Sequence, residues 1–290
     1  MPELPEVEVV RAGLEPAVSG AAVASVTVFD ERSLRRHDGP SEDFVDRLVG
    51  RTFAGASRRG KFMWLPLVGM PEALVVHLGM SGQVLLRDRE TDDALTRIRL
   101  DIVHPIHGDL RLNFVDQRIF GSMSIVPLIP TTDAPGLVPT QVSHIARDPL
   151  DPDFDEGLFF TRLARRNSGI KRALLDQSLV SGIGNIYADE ALWGARIHYE
   201  QLASSLSLPA RKRLLACVRE VLTKALAEGG TSFDAQYVNV NGNSGYFSHS
   251  LNAYGQQGRA CSRCGTLIVR EQFMNRGSHF CPKEQRLVRG

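Results

Sequence analysis

Residues 2–8 read Pro2-Glu3-Leu4-Pro5-Glu6-Val7-Glu8, directly behind the initiator Met1. Removal of Met1, which a small penultimate residue permits, turns Pro2 into a secondary amine at the chain terminus. A terminal amine has an unperturbed pKa of about 7.7–8.0, so a useful fraction is neutral and nucleophilic at physiological pH, without the burial or cationic neighbour that a lysine needs. Glu3 and Glu6 add two carboxyl groups within a few residues of that amine, as general acid or base chemistry requires. The same stretch also reads as a helix start. Pro5 suits the first helical position, the acids suit the positive end of the helix dipole, and Val7, Val10 and Leu14 share one apolar face. The helix accounts for Pro5, Glu6 and Glu8 but supplies no reason for a proline at position 2.

The chain around this stretch has 290 residues, 43% of them hydrophobic, enough for two domains with separate cores. No apolar run approaches the roughly 18 residues of a membrane span, and the N-terminus lacks a basic segment followed by an apolar one, so a cytoplasmic protein without membrane contact is expected. The formal net charge of +1 is not that of a strongly basic nucleic-acid binder. Positive charge would have to be gathered on one face. The distribution permits this: Arg58-Arg59-Gly60-Lys61, residues 162–171 and Arg211-Lys212-Arg213 are basic, whereas residues 148–156 are acidic.

After the first helix, which Gly20 should close, short β-rich runs recur at Val23–Phe29, Lys61–Leu67, Leu74–Leu78, Gln83–Arg87, Ile98–Val103, Leu110–Val115 and Ser122–Val126. They predict an antiparallel sandwich over 21–126. Residues 127–137, with Pro127, Pro130, Pro135 and Gly136, read as a linker. Helical periodicity then predicts helices near 138–146, 156–166, 168–176, 185–195 and 207–228. The turn Ser181-Gly182-Ile183-Gly184-Asn185 joins two of these. Its glycines and the N–H groups of the following helix make an anion site, with Asn185 placed to cap that helix. Residues 229–258 are rich in Gly, Asn, Ser and Tyr; a loop of this length is usually functional or disordered, and its aromatics argue against a spacer. Among the four cysteines, Cys217 falls in a helical pattern as a small core residue, while Cys261, Cys264 and Cys281 have the crowding of a metal cluster rather than a disulfide framework.

Residues 2–8 closely resemble the N-terminus of the bacterial formamidopyrimidine-DNA glycosylases (Fpg/MutM), which remove 8-oxoguanine and ring-opened purines. The sister family, endonuclease VIII, usually carries glycine where Leu4 stands. The resemblance covers essentially the whole chain, and residues 183–192 (IGNIYADEAL) look like the family's helix-two-turn-helix motif. It implies an α+β fold of three parts: an N-terminal catalytic β-sandwich led by a helix (1–130), a helical helix-two-turn-helix domain with a lesion-recognition loop (138–258), and a zinc-finger β-hairpin (259–290). It further implies a monomer, working at the bacterial nucleoid, that binds duplex DNA containing oxidised purines or abasic sites and acts in base excision repair as glycosylase and abasic-site lyase.

In the chemistry that the resemblance implies, Pro2 forms a Schiff base with the sugar, Glu3 protonates the opening ring, and Glu6 positions the two. Lys61 contacts a phosphate beside the lesion and assists elimination, and Arg276 clamps the lesion phosphates for β,δ-elimination. Lys171 and Asn185 hold further phosphates. Met80, Arg118 and Phe120 fill the gap left by the extruded nucleotide, Phe120 wedging the stack and Arg118 facing the orphaned cytosine; a base inside a duplex is otherwise out of reach. One zinc ion per chain is implied, held by Cys261, Cys264, Cys281 and a ligand at position 284.

There the chain departs from the family, because position 284 is Glu284 and not cysteine. Glu284 as an oxygen ligand, His279 as a nitrogen ligand, or weak zinc binding are the alternatives, and zinc of reduced affinity with Glu284 completing the set is the expectation. A second departure is Leu95-Thr96-Arg97, standing where many relatives have a DNA-contacting histidine. The competing functions are excision of oxidised pyrimidines, as by endonuclease VIII, and non-catalytic binding of damaged DNA. Leu4, Phe120 and the long loop argue against the first, and Pro2 with Glu3 against the second.

Overall fold

The computed structural model describes residues 2–231, 240 and 245–288. The chain divides into two compact units, Met1–His144 with Gly229–Gly245, and Ile145–Glu228 with Tyr246–Gly290. In the first unit, α1 (Leu4–Val18) buries Leu4, Val7, Val10, Leu14 and Val18 along one face. It gives way to Gly20, whose φ of 84° disfavours any residue with a side chain.

Nine strands follow: β1 (Ala22–Val28), β2 (Ser57–Arg59), β3 (Phe62–Pro66), β4 (Glu72–His77), β5 (Gly82–Arg87), β6 (Thr96–His104), β7 (Gly108–Asp116), β8 (Ser122–Pro130) and β9 (Leu137–Pro139). They make two antiparallel sheets, ordered β1-β6-β7-β5 and β2-β3-β4-β8-β9. In β6, Ile98, Leu100 and Ile102 are buried and alternate with Arg97, Arg99 and Asp101, the period of a sheet with one wet face. On that wet face Asp101 lies opposite Arg111. Arg111 Nε donates to it at 2.8 Å and Ser25 Oγ at 2.9 Å. The dry faces share one core, built from Val23, Leu100 and Phe114 of one sheet, Met63, Leu74 and Ile125 of the other, and Val10 and Leu14 of α1. This is the expected sandwich.

Four local expectations are corrected. A helix, α2 (Ser41–Leu48), interrupts the stretch read as strands; Phe44 and Leu48, one helical turn apart, are its buried residues, with Glu42 and Asp43 in its first turn. The helix expected over 138–146 is β9 followed by a single 3-10 turn at Thr140–Val142. Here the supposed linker is a reversal: Thr131 N donates to Gly136 O at 3.0 Å, which folds Val138 back opposite Ile129 of β8. Finally, Gly229–Gly245, read from sequence as part of the second domain, belongs to the first unit. Val240 is the reason. Its carbonyl accepts from Leu86 N of β5 at 2.9 Å, and its side chain fills the space beside Gly13 of α1, where a Cβ would meet it at 2.6 Å. Residues 232–239 and 241–244, where the loop expected over the extruded base has its centre, lie outside the described residues.

The second unit contains α3 (Glu156–Ala164), α4 (Ile170–Leu175), α5 (Asn185–Ala195), α6 (Leu208–Ala227) and a hairpin of β10 (Val269–Phe273) and β11 (Arg276–Phe280). Asp155 caps α3 by accepting from Leu158 N at 2.8 Å. Helix α5 is buried on nearly every side and forms the centre of this unit. Among the described residues no helix is long and apolar enough to cross a membrane. In the first unit Phe114 is wholly buried, so Phe114→Ala should cost about 3–5 kcal/mol in urea denaturation, as emptied aromatic sites do.

Candidate functional site

Pro2 and Glu3 lead into α1 and Glu6 lies in its first turn; all three are buried, Glu3 and Glu6 only 3% and 2% exposed. Glu6 Oε2 accepts from Glu3 N at 2.8 Å, one arm of a capping box. Its other oxygen accepts from Thr231 N at 2.8 Å and Thr231 Oγ1 at 2.9 Å. Gly230 makes this approach possible, since a Cβ there would lie 3.1 Å from Glu6 Oε1. Glu6 is thus a strut that holds the start of α1 against the root of the long loop.

Lys61 sits beside Gly60, with φ 59°, in the turn between β2 and β3, where Arg59 pairs with Phe62. The hairpin is tied to α1 through Glu8, which accepts from Arg58 Nε at 2.9 Å and from Arg11 Nη2 at 2.7 Å. Burial would raise the Glu8 carboxyl, but Arg11 and Arg58 outweigh it and hold the group below the usual carboxylate range. Opposite Phe62 on β4 lies His77, the ring centroids 4.7 Å apart. Burial, reinforced by the charges of Arg36, Arg35 and Lys61, pushes its imidazole down to about 4. A neutral ring with a buried Nδ1, which has no hydrogen-bond partner among the described residues, therefore stands in the field of Lys61.

Met80 and Phe120 are 45% and 42% exposed, on two turns of the first unit that pack directly together. A Cβ on Gly79 would lie 2.3 Å from the Phe120 carbonyl carbon, so these turns require glycine at that point. Asp116 fixes both: its carboxylate accepts from Ser81 Oγ at 2.5 Å, Arg118 N at 3.1 Å and Gly121 N at 2.7 Å. From behind, the Arg35 guanidinium donates to the carbonyls of Ile119 at 2.9 Å, Gly121 at 2.8 Å and also Phe120. Arg118 lies over the Phe120 ring, 4.6 Å from its centroid. The structure therefore gathers the three residues that the sequence grouped.

In the second unit Lys171 and Asn185 converge on the hairpin. Lys171 Nζ donates to Gly277 O at 3.2 Å and Asn185 Nδ2 to the same oxygen at 3.1 Å, next to the exposed Arg276. Two readings change here. Gly184, not Asn185, is the cap of α5, because the helix already begins at Asn185. Lys171, expected at a phosphate, is 0% exposed and lies 2.6 Å from Asp189, itself 1% exposed. Asp189 also accepts from Ser278 Oγ at 3.1 Å and His279 N at 2.9 Å. A buried ammonium requires such a partner.

Beyond the hairpin, the Sγ atoms of Cys261, Cys264 and Cys281 lie within 4.8 Å of one another, a donor set suited to a thiophilic metal ion. Glu284 does not join them. Its Oε2 is instead 3.1 Å from Arg196 Nε and 3.5 Å from Arg263 Nε. His279 likewise has its Nδ1 on Asp189 at 3.1 Å.

Residues 1–123 match the family model described as the formamidopyrimidine-DNA glycosylase N-terminal domain, and residues 145–236 match the formamidopyrimidine-DNA glycosylase H2TH domain. A formamidopyrimidine-DNA glycosylase of Leifsonia xyli subsp. xyli is 64% identical over 297 residues, covering 99% of this chain and 100% of its own. The chain belongs to the formamidopyrimidine-DNA glycosylase family. Among solved structures of this family, a Lactococcus lactis Fpg complexed with DNA containing an abasic site aligns at TM-score 0.83 and 32% identity, over 98% of this chain and 99% of that one. A MutM complex with DNA containing carbocyclic 8-oxo-G aligns at TM-score 0.82 and 32% identity, over 98% and 100%.

Motif reasoning about this glycosylase missed His77, Arg35, Asp116 and Asp189. Asp189 stands inside the motif at residues 183–192, and Asp116 and His77 lie two and three residues before Arg118 and Met80, but nothing in a sequence announces a carboxylate that collects donors from another element. Asp189 is the most consequential. Asp189→Asn leaves Lys171 buried without a counter-charge and should destabilise the chain by about 3–5 kcal/mol in urea denaturation, the scale of a broken buried pair.

Proposed function

We propose that this chain is a bifunctional DNA glycosylase and abasic-site lyase that excises oxidised purines from duplex DNA, with the Pro2 amine, once Met1 is removed, as its nucleophile. The observation that carries this is the buried cluster of Pro2, Glu3 and Glu6 at the start of α1, with Glu6 fully engaged by Glu3 N and Thr231. Such a clamp fixes an amine and a neighbouring carboxyl in one geometry, and much of the rate of a two-group reaction comes from that orientation.

Attack of the Pro2 nitrogen on the sugar C1′ displaces the base, while Glu3 gives a proton to the ring oxygen as the sugar opens. The resulting iminium acidifies the C2′ proton, whose loss expels the 3′ phosphate; a second elimination expels the 5′ phosphate. Lys61, and Arg276 at the hairpin tip, supply positive charge to those phosphates as they leave. Lys171 and Asn185 hold Gly277 and so set where Arg276 points. Met80, Arg118 and Phe120 occupy the space that the extruded nucleotide vacates. The three cysteines hold zinc, which supplies no redox or acid chemistry here but cross-links the hairpin.

Borohydride trapping on a duplex with one 8-oxoguanine opposite cytosine should yield a covalent complex whose peptide map ends at Pro2; a cross-link elsewhere, or preference for a thymine-glycol duplex, overturns the reading. Glu3→Gln should slow base excision in single-turnover assays by about 10²–10⁴-fold, the usual contribution of a positioned proton donor. Metal quantitation should find close to one zinc per purified chain.

A further inference from the structure

Zinc in a structural site is almost always closed by four protein ligands, whereas a site with three keeps a position for a ligand from solution. In this chain three sulfurs are gathered, and among the described residues no carboxylate oxygen or imidazole nitrogen joins their cluster. Glu284 is bridged by Arg196 at 3.1 Å and Arg263 at 3.5 Å. Arg263 is itself held, stacked 3.7 Å from the Trp193 ring centroid and donating from Nη2 to Trp193 O at 2.6 Å. Both Glu284 contacts fall on the one oxygen, so moving Oε2 away would give up both ion pairs. His279 is anchored to Asp189 by its ring and by its backbone N–H.

The hairpin also has means of closure that need no fourth ligand. Gln285, 1% exposed, accepts from Cys281 N at 2.9 Å and donates to Ile197 O at 2.9 Å. Phe280 packs on the rings of His198 and Tyr199, with centroids 4.7 and 5.4 Å away, and Tyr199 Oη donates to Glu271 at 2.7 Å.

We propose that the terminal hairpin binds its metal through the Cys261, Cys264 and Cys281 thiolates alone, that the fourth coordination position takes an exchangeable small ligand from solution, water or a low-molecular-weight thiol, and that Glu284 is an ion-pair brace between Arg196 and Arg263. The inference rests on the hairpin being a metal site. The brace replaces a metal bond with two salt bridges, so the root of the hairpin stays fastened while its metal becomes open to exchange and to attack by free thiols.

The test is cobalt(II) titration of the full chain after zinc removal, read by the visible ligand-field and thiolate-to-cobalt bands, with 2-mercaptoethanol as the added ligand. The unaltered protein should give a three-sulfur spectrum that moves toward a four-sulfur one as thiol is added. Glu284→Gln should leave the spectrum unchanged and the affinity within about threefold, whereas Glu284→Cys should give the four-sulfur spectrum directly, ignore added thiol, and bind at least about tenfold more tightly. A Glu284→Gln spectrum that changes, with affinity falling tenfold or more, makes Glu284 a ligand and overturns the proposal. So does an unaltered protein whose cobalt spectrum ignores thiol, a result that depends on no variant. Failure to take up cobalt at all would instead refute the metal site itself.

Discussion

A carboxylate withdrawn from water must have its lone pairs filled by donors, and the chain uses that demand to fasten distant segments to one another. Glu6 takes Glu3 N and the two donors of Thr231, Asp116 takes Ser81, Arg118 and Gly121, and Asp189 takes Lys171, Ser278 and His279. Glu190 follows the same rule: burial pushes its carboxyl up, opposed by the backbone N–H groups of Asn252, Ala253 and Tyr254. Each hub is satisfied only when its segments have arrived in register. The groups that do chemistry or touch a ligand can therefore stand on helix ends and turn tips, which are otherwise the loosest parts of a fold.

Burial also reassigns residues whose type suggests another role. A lysine is read as a surface cation, yet Lys171 has no exposed surface and serves as an internal strut between Asp189 and Gly277. Arginines are spent in the same way: Arg58 on Glu8, Arg111 on Asp101, Arg35 on three carbonyls. The near-zero net charge of the chain thus says little about the field at any one surface, because many of its charges are neutralised where they stand.

Much of the fold was legible because the strands and long helices keep their hydrophobic periods. Ile98, Leu100 and Ile102 announce a half-buried strand without help from the rest of the chain. The failures have local causes. In α2 the pair Phe44 and Leu48 is too short a signal to stand out among strands, and the prolines of 127–137 mark a turn inside a sheet as readily as a linker. Position 284 illustrates a different limit: the motif showed that a cysteine was missing, but not that two arginines, one of them distant in sequence, would claim the carboxylate that replaced it.

What the sequence determined by itself is the set of candidate groups: a proline at position 2 beside two carboxyls, a lysine next to Gly60, a methionine and an arginine–phenylalanine pair, and three clustered cysteines. Residue type and spacing fix these because they are local properties of the chain. Only the tertiary structure decided which carboxylate meets which donor, that Gly229–Gly245 returns to the first unit through Val240, that Lys171 meets a buried aspartate, and that Glu284 pairs with two arginines. Those outcomes depend on which distant segments compete for the same buried oxygen. That competition is settled by packing and desolvation, which no stretch of sequence contains.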